Sequence, residues 1–241
     1  RNNNMSFLIL VRHGQSVWNR ERKFTGWVDI DLTENGKIEA QKAGYLIKKK
    51  DLKIGHFFSS LQLRANHTLE IIQNVLGNKQ NFIKAWQLNE RHYGALTGLN
   101  KIEMAEKIGE DKVYEFRRSW DIKPAPLDKE SLYHPLNIET YNKIPREIIP
   151  DTESLKDTYE RVLKYFKENI QEKLTSENIL ISAHGNSIRA LCKYLFKLDN
   201  SQITNLEIPT GNPLIIELNE ELEIMGCEYL DKERTKDLLV F

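Results

Sequence analysis

The sequence predicts an α/β fold, a three-layer αβα domain around a mostly parallel central sheet. Three observations predict it. Short, β-rich apolar runs alternate with helical patterns along nearly the whole of the 241 residues. The run at 7–11, FLILV, is continuous rather than alternating, as in a strand covered on both faces. A second such run, NILISA at 178–183, ends like the first in His-Gly, followed by an amide and a serine.

The elements follow in order. After the strand at 7–11, Thr33 is placed to cap a helix over 34–50, whose apolar face is read as Ile38, Tyr45 and Leu46. Residues 55–59 read as the next strand. Ser60 then caps a helix with Leu61, Ala65, Leu69, Ile72 and Leu76 at helical spacing, with Arg64 in its first turn. A third strand is expected at 81–86. Asn100 and Glu103 resemble a capping pair for a helix toward Ile108. Leu155, Val162, Phe166 and Ile170 mark an amphipathic helix beginning near 151–153, before the strand at 178–183. A helix at 187–196 and a last strand at 214–218 complete the series. The expected organisation is one domain over 1–241 with a lid-like insertion at about 119–150, which holds five of the seven prolines and no sustained periodicity. The lead at 1–4, Arg-Asn-Asn-Asn before Met5, carries no fold signal.

Composition excludes several classes. Lys plus Arg equals Asp plus Glu at 35 each, so the chain as a whole has no charge with which to coat nucleic acid or an anionic membrane. Lys48, Lys49 and Lys50 read as a solvated helix end. No apolar run reaches the length of a membrane span, and no secretory signal stands at the start, so a cytoplasmic protein is expected. Two cysteines are too few for a disulfide framework.

In an open α/β sheet the carboxyl ends of the strands face the ligand crevice, so His13 and His184 are expected to project into one cleft. The glycine after each lets the backbone turn tightly and approach a ligand. A neutral imidazole attacks phosphorus well when its second nitrogen is held protonated, and a neighbouring histidine can stabilise the transferring group. Such transfer needs cations around it; Arg12 adjoins His13, and Arg64 lies at the end of another strand. No metal is expected, because no histidine occurs in a His-Glu-x-x-His or His-x-His arrangement. The nucleophile elbow Gly-x-Ser-x-Gly and the phosphate-binding P-loop are absent too.

Leu10-Val11-Arg12-His13-Gly14 resembles the signature of the histidine phosphatase superfamily. Gln15-Ser16-Val17-Trp18-Asn19, Phe24-Thr25-Gly26-Trp27 and Leu88-Asn89-Glu90-Arg91-His92-Tyr93-Gly94 narrow the resemblance to cofactor-dependent phosphoglycerate mutases. Gly98-Leu99-Asn100-Lys101, Arg117-Arg118-Ser119, Glu153-Ser154-Leu155, Ala183-His184-Gly185-Asn186-Ser187 and Ile208-Pro209-Thr210-Gly211 extend it over nearly the full chain. It is loose over 131–150, and a longer lysine-rich tail is expected after Phe241.

The resemblance implies a phosphoglycerate mutase-like fold and interconversion of 3-phosphoglycerate and 2-phosphoglycerate. His13 would be the nucleophile and Glu90 the general acid and base, with Arg12, Arg64 and His184 holding the phosphoryl in flight. Asn19, Gly185 and Asn186 would supplement them, beside Ser16, Thr25 and Gly26; Arg91, Tyr93, Lys101, Arg117 and Arg118 would grip the rest of the substrate. It further implies 2,3-bisphosphoglycerate as primer, lid closure by 119–150 and the tail after Leu230, and a homodimer or homotetramer. A bisphosphoglycerate mutase or a phosphatase of the same superfamily is the alternative.

Overall fold

In strand β1 (Ser6–Arg12), Leu8, Ile9, Leu10 and Val11 are all buried, but they do not enter one core. Successive side chains of a strand point to opposite faces. Leu8 and Leu10 therefore pack on one side of the sheet, with Val162, Phe166, Ile188 and Leu191, while Ile9 and Val11 pack on the other, with Ala43, Ile47, Leu69 and Ile72. This double covering makes the three layers. The computed structural model describes residues 4–234; the first three residues of the lead and the tail beyond 234 lie outside the described residues.

The remaining strands are β2 (Ile54–Ser59), β3 (Ile83–Lys84), β4 (Asn178–Ala183), β5 (Leu214–Leu218) and β6 (Ile224–Tyr229), in the order β3-β2-β4-β1-β5-β6. The neighbours β1/β4, β2/β4 and β2/β3 are parallel, and β5 is antiparallel to both β1 and β6. One strand of six thus opposes the rest. Helices α1 (Val17–Arg20), α2 (Glu34–Lys48), α3 (Leu63–Leu76), α4 (Lys101–Ile108), α5 (Glu110–Arg118), α6 (Leu155–Asn169), α7 (Gly185–Leu195) and α8 (Asn200–Asn205) connect them.

Several expectations need correction. Ile38 and Tyr45 are 63% and 53% exposed; α2 instead buries Gly36, Ala40, Ala43, Gly44 and Ile47. Small residues permit that close approach: a Cβ on Gly44 would stand 2.8 Å from Val75 Cβ. Ser60 does not cap α3, which begins at Leu63 after Gln62. The strand expected at 81–86 contracts to β3. Helix α6 starts later than 151–153, where Ser154 and Asp157 form a capping box, and α7 starts earlier than 187. Helices α1, α5 and α8 and strand β6 were not anticipated.

Residues 119–150 carry three single 3-10 turns. Tyr141 and Ile144 pack against Trp27, with the Tyr141 and Trp27 rings 4.9 Å apart, and the Tyr141 hydroxyl donates to the Trp27 carbonyl. Buried His134 bonds Asp151 at 2.7 Å. The segment is thus folded onto the loop around Trp27. No residue of it lines the cleft described below.

Candidate active site

Strands β1 and β4 run parallel in register from Leu8 opposite Ile179 to Arg12 opposite Ala183. They therefore end side by side, and the His13 amide donates to the Ala183 carbonyl at 3.0 Å. The rings of His13 and His184 face each other with centroids 5.0 Å apart. His13 Nδ1 lies 2.6 Å from the Gly14 carbonyl oxygen. A carbonyl only accepts, so Nδ1 holds the proton and Nε2 carries the lone pair. Burial, then the charges of Arg64 and Arg12, hold the His13 pKa well below the usual histidine value. The ring is neutral at neutral pH.

His184 is oriented by a residue from the next strand end. Its Nε2 lies 2.7 Å from Ser60 Oγ, and that oxygen already accepts from the Gln62 amide at 3.1 Å. Nε2 is the one acceptor within reach of the Ser60 hydroxyl among the described residues, so the hydroxyl donates to it, which puts the ring proton on Nδ1. Nδ1 is buried without a protein partner among the described residues. Burial and Arg64 lower this histidine's pKa as well.

Glu90 Oε1 accepts from the amides of Arg91 at 2.8 Å and Asn186 at 3.2 Å, which aims the carboxylate across the start of α7. Its backbone is clamped too: the carbonyl accepts from Trp27 Nε1 and Arg161 Nη2, and the amide donates to Gln62 Oε1. Beside it, a Cβ on Gly185 would stand 3.5 Å from Arg12 Nε and 3.8 Å from Glu90 Oε2. Glycine keeps that space open.

Arg64, in the first turn of α3, donates to the carbonyls of Val28 and Gly26. Arg12 donates to the Ile208 carbonyl, and its buried Nε has no protein partner among the described residues. Burial lowers both guanidinium pKa values, yet arginine stays charged in proteins. Further out stand Lys101, just after the Asn100 cap of α4, and Arg117 and Arg118 at the end of α5. Arg118 pairs with Glu207. Burial, then Arg117 and Arg12, bring Lys101 down to about 7.

These groups line one cleft of about 220 Å³. The structure brings together Arg12, His13, Asn19, Thr25, Gly26, Arg64, Glu90, Tyr93, Lys101, Arg117, Arg118, Gly185 and Asn186, all expected from the sequence. Ser16, Arg91 and His184 do not line it. Ser16 is buried at the cap of α1, where it accepts from the Asn19 amide and fixes that side chain. Arg91 turns away: its Nε donates to the Glu153 carbonyl, its Nη2 to that of Ile122, and the guanidinium lies over the Tyr93 ring. His184 stands beside His13, the ring centroids 5.0 Å apart, with its Nδ1 left without a protein partner among the described residues. Arg189, Glu207 and Ile208 line the cleft without having been anticipated, as Ser60 and Gln62 support it. Arg189 was readable, one turn after Gly185 and Asn186 on the same helix face.

Six cationic side chains against two carboxylates make this cleft an anion site within a chain of zero net charge. A neutral imidazole with a free Nε2 can take up a phosphoryl group there. Glu90 can exchange a proton with a hydroxyl opposite it. Among the described residues, no three His, Cys, Asp or Glu side chains converge as metal ligands, and no helix is long and apolar enough to cross a membrane.

The profile of the histidine phosphatase superfamily (branch 1) matches residues 8–224. The 2,3-bisphosphoglycerate-dependent phosphoglycerate mutase of Pelagibacter ubique is 66% identical over 98% of this chain and 100% of its own length. That of Borreliella burgdorferi is 48% identical, over 94% and 92%. Among solved structures, a mycobacterial glucosyl-3-phosphoglycerate phosphatase in complex with VO3 superposes with a TM-score of 0.69 at 20% identity, covering 93% of this chain and 98% of that one. Bacillus stearothermophilus YhfR gives 0.66 at 23%, covering 91% and 94%. These two likenesses concern the fold; the sequence relatives and the matched profile go further, and by them the chain belongs to the histidine phosphatase superfamily, among its 2,3-bisphosphoglycerate-dependent phosphoglycerate mutases.

Proposed function

We propose that this chain interconverts 3-phosphoglycerate and 2-phosphoglycerate through a phosphohistidine on His13. The observation that carries the reading is the hydrogen bond from His13 Nδ1 to the Gly14 carbonyl, which leaves Nε2 unprotonated inside a cation-lined cleft. The orphaned N–H donors at Arg12 Nε and His184 Nδ1 are groups that phosphoryl oxygens satisfy. A bisphosphoglycerate carries a carboxylate and two phosphates of about −1.5 to −2 each, a charge that Arg12, Arg64, Lys101, Arg117 and Arg118 can balance. Bound there, 2,3-bisphosphoglycerate would supply the phosphoryl group that primes His13.

In the forward half of the cycle, Glu90 takes the proton of the substrate's free hydroxyl as that oxygen bonds to phosphorus and the N–P bond to His13 breaks. Arg12, Arg64 and His184 hold the three equatorial oxygens throughout. In the return half the other phosphate bonds to His13 Nε2, and Glu90 gives its proton to the departing oxygen. The N–P bond must be kept from water, and His13 and Arg64 are themselves buried at the cleft's inner wall. The reading also takes the protein to be cytoplasmic, which fractionation of cells would test, and a homodimer or homotetramer, which sedimentation would test.

The experiment is a coupled assay of 3-phosphoglycerate conversion, with and without a trace of 2,3-bisphosphoglycerate, on the wild type and His13→Ala. Turnover that needs the primer and vanishes in the variant is expected. Free phosphate as the main product would move the chain to a phosphatase role within its superfamily.

A further inference from the structure

Arg189 is 2% exposed, on α7, and its guanidinium joins three elements. Nη1 donates to Asn186 Oδ1 at 2.8 Å and to the Arg117 carbonyl at 3.4 Å; Nη2 donates to the Ile203 carbonyl at 2.6 Å and the Arg118 carbonyl at 3.2 Å. The Arg117 and Arg118 carbonyls close α5, and the last carbonyls of a helix find no partner within it. A buried cation there satisfies them and complements the negative end of the helix dipole. The fifth donor, Nε, is buried without a protein partner among the described residues, and the side chain lines the cleft. Burial and the neighbouring Arg118 bring its pKa down to about 10, so it remains charged at neutral pH. Keeping such a charge buried is costly unless its hydrogen bonds are used.

The side chains of Arg117 and Arg118 reach the outer part of the cleft, and Asn186 belongs to the turn that also carries His184 and Gly185. Asn186 is held from its other side by the Tyr93 hydroxyl, to which its Nδ2 donates at 3.0 Å. We infer that Arg189 is a positioning residue, which locks the two substrate-gripping arginines of α5 onto the His184–Asn186 turn and so sets the distance between the two anionic ends the cleft accepts. The inference rests on the phosphoglycerate mutase reading. Only a planar fork meets these acceptors together; a lysine in the same place keeps the charge and loses the geometry.

The test uses Arg189→Lys and Arg189→Gln in the full chain. Five quantities are compared with the wild type: Kd and KM for 3-phosphoglycerate, kcat, the inhibition constant of orthovanadate, and Tm. Orthovanadate is a phosphoryl mimic small enough to sit against His13 without spanning the cleft. In Arg189→Lys we expect Kd and KM to rise about tenfold or more, some 1.4 kcal/mol, while orthovanadate inhibition changes no more than about twofold. Equal weakening of both ligands, no change in either, or loss of folding in both variants would make Arg189 merely structural and overturn the inference. A wild type that binds 3-phosphoglycerate without converting it would sink the mutase reading and still leave the Kd ratio to decide the role of Arg189. No binding at all would sink both.

Discussion

His13 and His184 stand with ring centroids 5.0 Å apart and planes inclined at 58°, each at the end of a parallel strand and each with its pKa depressed by burial and by Arg64. Two imidazolium rings could not share that space with Arg12 and Arg64. The arginines therefore supply the positive charge and the histidines stay neutral, one as a lone pair and the other as an N–H donor.

Ser60 fixes which nitrogen of His184 does the donating. Removing its hydroxyl in Ser60→Ala leaves Nε2 buried without its partner at 2.7 Å and frees the ring to adopt the wrong tautomer. We expect kcat to fall about tenfold, equivalent to 1.36 kcal/mol of transition-state stabilisation, with KM for 3-phosphoglycerate nearly unchanged. Steady-state kinetics checks this; an unaltered kcat would mean that the tautomer is set elsewhere.

Gly14 is needed for a reason other than approach to a ligand. A Cβ on it would stand 2.1 Å from the Gly36 carbonyl oxygen, and one on Gly36 would stand 2.1 Å from the Gln15 carbonyl oxygen. The loop after His13 is thus pressed backbone to backbone onto α2. Gly36 is outside the cleft, yet Gly36→Ala must push the 14–15 backbone, and with it the Gly14 carbonyl that holds His13 Nδ1. Overpacking of this kind costs about 1–3 kcal/mol. Both a lower Tm and a kcat reduced about tenfold or more are expected; a lower Tm with full kcat would show that the loop absorbs the strain without moving His13.

Lys101 is expected to give the free enzyme an alkaline limb. With its pKa near 7, the ammonium is charged below that pH and loses its charge as pH rises through it. The anion grip weakens in the same direction. The profile of kcat/KM for 3-phosphoglycerate should fall above pH 7, and Lys101→Arg, charged throughout, should remove the fall. A limb that survives in Lys101→Arg would belong to another group.

Much of this site was legible because its signals are local. The apolar runs ending at His13 and His184 specify parallel strands, and their shared register, Arg12 opposite Ala183, makes the histidines neighbours. The inner face of α2 was illegible because Gly36, Ala40, Ala43 and Gly44 carry almost no apolar signal; what they provide is room. Helix α5 buries only Val113 and is otherwise charged or partly exposed, so its periodicity is hidden. Ser60 looks like a helix cap in sequence and becomes the partner of His184 only once β2 lies beside β4. Arg91 shows the converse. It sits in a matched block with Glu90, but a block does not distinguish a side chain that meets substrate from one that braces the backbone behind it.

His92, in that same block, makes the fold acid-sensitive. Its Nδ1 accepts from the Gly94 amide at 2.8 Å, so the folded ring is neutral, and burial lowers its pKa to about 4. Glu153 and Asp151 pull the value up and His134 and Arg161 push it down, without offsetting burial. The unfolded chain has the ordinary value of about 6.5 and binds the proton more readily. The stability held by the neutral ring is thus fully present above pH 6.5 and is lost progressively as pH falls from there to about 4, a total of about 3 kcal/mol. In His92→Asn an amide oxygen can accept from Gly94 without titrating. Urea unfolding of wild type and variant at pH 7 and pH 4.5 should show the wild type losing about 2–3 kcal/mol more on acidification. Parallel losses in the two proteins would assign the acid sensitivity to His13 and His184 instead, whose depressed pKa values act with the same sign.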